Sequence, residues 1–108
     1  MSKPGTAMQR NRRLDSYISV LRRHLPDLRG RYGVRSLGVF GSYVRGEQHK
    51  RSDLDILVEF DDRPLTLFQF VELRDYLSEL VGTKVDLVEK RALKPAIGRY
   101  ILEEVVFL

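Results

Sequence analysis

The chain has 108 residues, enough for one domain with a single core and too few for two. With 43% hydrophobic and 31% charged residues it has a globular composition, no run nears the ~18 apolar residues of a membrane span, and the lack of cysteine excludes disulfides and thiolate metal sites. The net charge of +4 is uneven: nine Lys/Arg stand against two Asp up to Arg35, then ten basic against thirteen acidic residues.

A basic end of this kind steers toward nucleotide phosphates, nucleic acid or an acidic protein. No aromatic residue alternates with the arginines until Tyr17 and Tyr32, so nucleic acid stays open as a partner without being favoured. Nothing points to a membrane partner, and the start, Met1-Ser-Lys-Pro-Gly-Thr, lacks the apolar stretch of a secretory signal. A cytoplasmic protein is expected.

In chain order, residues 1–8 read as a flexible leader broken by Pro4 and Gly5, and residues 9–108 as one domain. Leu14, Tyr17, Ile18, Leu21, Leu25 and Leu28 recur at helical spacing and predict a first helix over residues 8–25, limited by Pro26. Residues 27–33 then lead into a strand at 34–40. A short helix follows Ser42, and residues 47–52 form a polar loop in which His49 is exposed. The second strand covers 54–60 and ends in Asp61-Asp62-Arg63-Pro64, a solvated turn and helix cap.

Phe70, Leu73, Leu77 and Leu80, widened by Phe68 and Val71, form the apolar stripe of a helix over 67–80, closed by Gly82. A third strand at 84–89 alternates Val85 and Leu87 with Asp86 and Val88. Pro95 suits the start of a last helix with Ile97, Ile101 and Leu102 on its buried face, and Val105-Val106-Phe107 adds a short edge strand. The fold class is α/β (α+β), a small mixed sheet of three to four strands packed with helices.

Two of these segments carry chemistry. Gly41-Ser42 falls where the strand Leu37-Gly38-Val39-Phe40 ends, a common position for ligand crevices in α/β sheets. Ten residues on, Asp53 and Asp55 are spaced i, i+2 and so share one face of a strand, with Leu54 and Ile56 on the other. Two carboxylates that close repel unless a cation lies between them, and Mg²⁺ is commonly held by one or two carboxylates plus substrate phosphates. Either feature alone is an ordinary turn or a polar strand face. Their ordered combination argues for a nucleotide–metal site.

Gly41-Ser42-Tyr43-Val44-Arg45-Gly46-Glu47, followed by Ser52-Asp53-Leu54-Asp55-Ile56-Leu57-Val58, resembles the signature of minimal nucleotidyltransferases of the DNA polymerase β superfamily. The likeness extends through Val85-Asp86-Leu87-Val88, where that superfamily often supplies a third carboxylate, to the segment from Leu93-Lys94-Pro95 to Val106. Tyr43 and Val44 are bulkier than the small or polar residues expected after the serine. The resemblance implies Mg²⁺-dependent transfer of a nucleoside monophosphate from a nucleoside triphosphate, ATP in the first instance. Asp53, Asp55 and Asp86 would be catalytic and metal-binding, and Gly41, Ser42 and Arg45 nucleotide-binding. Arg45 could equally brace the loop through a carboxylate.

Larger relatives bind the acceptor with a second domain, for which 108 residues leave no room. The resemblance therefore points to the antitoxin of two-component modules, which transfers AMP onto a HEPN ribonuclease toxin and silences it. Two alternatives stay open: a binding antitoxin or scaffold that does no chemistry, and a homodimer, and so a homo-oligomer, that adenylylates a small molecule.

Overall fold

Four strands form one mixed sheet in the order β3-β2-β1-β4, where β1 is Val34–Phe40, β2 Leu54–Phe60, β3 Val85–Glu89 and β4 Val106–Phe107. The computed structural model describes residues 12–108 except 64, so the expected leader and the start expected for the first helix lie outside the described residues. Around the sheet are α1 (Arg12–Tyr32), α2 (Ser42–Arg45), α3 (Leu67–Val81) and α4 (Pro95–Glu104), with a 3-10 turn at Lys90–Ala92. β1 is antiparallel to both β2 and β4, whereas β2 and β3 are parallel. A parallel pair needs a long crossover, and α3 supplies it.

The period-2 alternation of β2 sorts its side chains between two cores. Leu54, Ile56, Val58 and Phe60 pack with Leu14, Tyr17, Leu21 and Leu28 of α1 and Leu73 and Leu77 of α3. On the other face Leu57 joins Phe40 and Ile101, so α4 covers that side, with Leu93 and Val105 at its margin. Asp55 and Glu59 share the Leu57 face and are half-buried there.

The first helix differs from expectation. It runs through Pro26 to Tyr32, and residues 27–32 are helical where a connecting segment was expected. Proline in a helix interior costs ~3 kcal/mol through its missing N–H and its clash one turn back. The turn beyond it buries Leu28 completely and Tyr32 almost so. Each such side chain contributes roughly 1.5–3 kcal/mol, which offsets the proline. Tyr76 of α3 donates a hydrogen bond to Asp27 at 3.1 Å, tying the same turn down.

Two further expectations are corrected. Thr66, rather than Asp61 or Asp62, caps α3: its hydroxyl accepts the Gln69 N–H at 3.1 Å while the Gln69 side chain accepts the Thr66 N–H at 3.0 Å. Asp61 instead pairs with Arg63, which reaches back to the Arg29 and Gly30 carbonyls at the end of α1. The predicted apolar faces are also narrower than drawn. Phe68 is 87% exposed on α3, and on α4 Ile97 and Leu102 are exposed, Ile101 being the buried residue of that helix. Pro95 does open α4, and Gly82 does close α3.

Candidate active site

The sheet register gathers the predicted carboxylates at one end. Asp55 lies opposite Phe40, the last residue of β1, and in register with Asp86 on the parallel strand β3. In-register neighbours on adjacent strands share a face and stand about 5 Å apart. Asp53 immediately precedes β2, where the Leu54 N–H bonds the Lys84 carbonyl at 2.9 Å and sets the start of the β2–β3 ladder. The crevice expected at strand carboxyl ends is met by Gly41 alone, since the three aspartates come from the amino ends of β2 and β3.

Gly41 is required where it stands. Its φ of 84° lies in the left-handed region, and a Cβ placed on it would collide with the Asp55 carboxylate. The end of β1 can therefore press directly against Asp55. Past it the chain turns at once into α2, with the Val44 and Arg45 N–H groups donating to the Gly41 carbonyl at 3.0 and 3.1 Å. The Ser42 and Tyr43 amides are first-turn donors with no earlier carbonyl in the helix to receive them. The bulk of Tyr43 is directed into the core, edge-on to Tyr17 at 5.6 Å, so it does not crowd the turn's outer surface.

Asp55 carries the electrostatic signature of the site. Burial first, then the neighbouring Asp86 carboxylate through its charge and a hydrogen bond, then Asp53, push its carboxyl up to about 6, with Arg45 acting in the opposite sense. A carboxyl crowded in this way favours a nearby cation, which would stabilise its ionised form. Among the described residues no group of three or more His, Cys, Asp or Glu side chains is arranged to hold a metal ion by itself. The donor set nevertheless fits magnesium, a hard ion that takes one or two carboxylates and completes its shell with water and substrate phosphate.

Arg45 is placed as a brace. Its Nε donates to Glu47 at 2.9 Å, and its Nη1 to both oxygens of Glu104 at 3.1 Å. The same Glu104 carboxylate accepts the Gly41 N–H at 2.8 Å, so the Gly41 amide, expected to face phosphate, is already engaged. Sequence reading missed Glu104, which lies 63 residues from Gly41. It also missed the groove beside the carboxylates, where Asp53, Val85 and Asp86 are joined by Arg74, Ser78 and Lys84. Ser78 anchors that wall, accepting the Val85 N–H at 3.1 Å and donating to the Arg74 carbonyl at 3.0 Å. The Lys84 position, just before a strand that begins with an apolar residue, was its one legible signal.

A Gly-Ser turn at the end of one strand, facing aspartates on the next two, is the arrangement of a nucleotidyltransferase. The chain belongs to the nucleotidyltransferase domain family, whose match spans residues 21–108, and it is a nucleotidyltransferase. It is similar to the protein adenylyltransferase MntA of Thermococcus cleftensis, at 50% identity over 95 residues, 88% of this chain and 95% of that protein. Among solved structures, a minimal nucleotidyltransferase 36% identical superposes with a TM-score of 0.69, covering 87% of this chain and 90% of its own. A toxin–antitoxin structure with AMP-PNP is 26% identical with a TM-score of 0.62, over 90% of this chain and 70% of that one.

Proposed function

We propose that this protein transfers AMP from ATP to a partner protein, and that it is the antitoxin of a pair whose toxin is a HEPN ribonuclease. The observation that carries the chemistry is Asp55, pressed against Gly41, in register with Asp86, and raised to about 6 by burial and by the Asp86 carboxylate. The partner is inferred from the relatives: half-identity to a protein adenylyltransferase, and likeness to a toxin–antitoxin structure holding an ATP analogue.

In this reading the Ser42 hydroxyl and the free first-turn amides hold the β- and γ-phosphates. Gly41 contributes by its close approach, since its own amide serves Glu104. Asp53 and Asp55 would hold Mg²⁺, with Asp86 beside them. When bound, the ion would supply positive charge against the triphosphate and the crowded carboxylates. An acceptor hydroxyl on the partner forms a bond to the α-phosphorus as the bond to pyrophosphate breaks. Asp86, which lines the groove with Asp53, accepts the hydroxyl proton. Arg45 holds the turn in place through Glu47 and Glu104, and the protein's work is chiefly positioning and charge stabilisation.

The test is to separate chemistry from contact. Asp53→Asn should abolish AMP transfer to the toxin while the two proteins still co-purify. Full neutralisation of the toxin by that variant would overturn the reading.

A further inference from the structure

Glu104 is not explained by packing. Its side chain is 16% exposed, and it receives three hydrogen bonds, one from the Gly41 N–H and two from the Arg45 guanidinium. β1 and β4 pair antiparallel with Gly38 opposite Phe107 and Val39 opposite Val106, so counting two residues further on each chain brings Gly41 opposite Glu104. At that point the chain is still the last turn of α4, and a side-chain carboxylate receives the N–H where a strand would have continued the ladder.

β2, bearing Asp55, lies on the other flank of β1 from β4. Gly41 is therefore gripped by Glu104 on one side and pressed against Asp55 on the other. Through Arg45 the same carboxylate holds the far end of the turn. We infer that Glu104 is a positioning residue for nucleotidyl transfer: one carboxylate on the last helix fixes both ends of the 41–45 turn and so sets where Ser42 presents its hydroxyl to the triphosphate. The kinetic side of this inference rests on the transfer reaction proposed above, and the conformational side does not.

The opposing view is that Glu104 occupies a phosphate position and must be displaced by nucleotide. The two predict opposite signs. Hydrogen bonds to charged groups contribute enough that losing them costs roughly tenfold or more in an equilibrium constant. In the full chain, Glu104→Ala should raise the KM for ATP about tenfold, with kcat falling less. Glu104→Gln, which keeps an oxygen for the Gly41 N–H but loses the charge facing Arg45, should recover part of that loss.

Amide hydrogen exchange measured on the same variants gives a readout free of activity. Glu104→Ala should speed exchange at Gly41 about tenfold and leave Ile56, in the buried strand, unchanged. Unaltered exchange at Gly41, or tighter ATP binding in Glu104→Ala, would overturn the inference. If the native protein transfers no nucleotide to any acceptor, the function proposed above fails, and the exchange result still decides what Glu104 holds.

Discussion

Asp55→Asn should make the metal-free protein more stable at pH 8 while removing its activity. The native carboxyl is moved from 3.8 to about 6, so between those values the folded state binds more protons than the unfolded chain. A carboxyl raised in this way contributes stability that is fully present below pH 4 and lost as pH rises through 6. At ~1.4 kcal/mol per pKa unit the full shift would be worth about 3 kcal/mol. Asp55 is only half-buried, and solvent screening reduces this to roughly 1–2 kcal/mol. Asparagine has a similar shape, carries no charge, and can donate its amide to Asp86. Denaturant unfolding in the presence of a chelator, from pH 4 to 8, is the assay. The native protein should lose stability across pH 4–6 more steeply than Asp55→Asn, with the variant roughly 1–2 kcal/mol more stable at pH 8. Parallel pH profiles, or a variant less stable at pH 8, would refute the account of crowded carboxylates.

Other outcomes follow from single contacts. Gly41→Ala should cost at least about 2 kcal/mol, since it combines a left-handed φ with a collision against Asp55, and urea unfolding measures it. Leu28→Ala should cost about 3 kcal/mol by the same method, a loss near zero being the result if the turn beyond Pro26 were not part of the core. Thr66→Ala should cost about 1 kcal/mol through its capping bond, whereas Asp62→Ala should be nearly silent in thermal melts.

What the sequence revealed followed the range over which each signal acts. The spacing of Asp53 and Asp55 is local, so alternation alone put them together, and Asp53 stands just ahead of β2, close enough for its charge to raise the Asp55 carboxyl. The short helix after Gly41, the closing Gly82 and the opening Pro95 are equally local. Pro26 misled because a local rule met a non-local force: burial of Leu28 and Tyr32 against the sheet carries the helix past the proline. Phe68 misled in the other direction, since helical periodicity marks an apolar stripe without saying how much of it a four-strand sheet can cover. The resemblance grouped Asp86 with Asp55, but their placement side by side depends on β3 joining β2 in parallel, which alternation could not give. Glu104 was invisible because its partners are Gly41 and Arg45, 63 and 59 residues away, and no spacing rule acts at that distance. The groove residue Arg74 is brought to Asp53 by the same kind of non-local return, along α3 into β3.

The most direct measurement is transfer of label from α-labelled ATP with Mg²⁺ into a lysate of the source cells, comparing the native protein with Asp53→Asn/Asp55→Asn. Label arriving in one protein band, with the native protein alone, is the result expected of a protein adenylyltransferase. Label confined to small molecules, or equal labelling by the double variant, would contradict it.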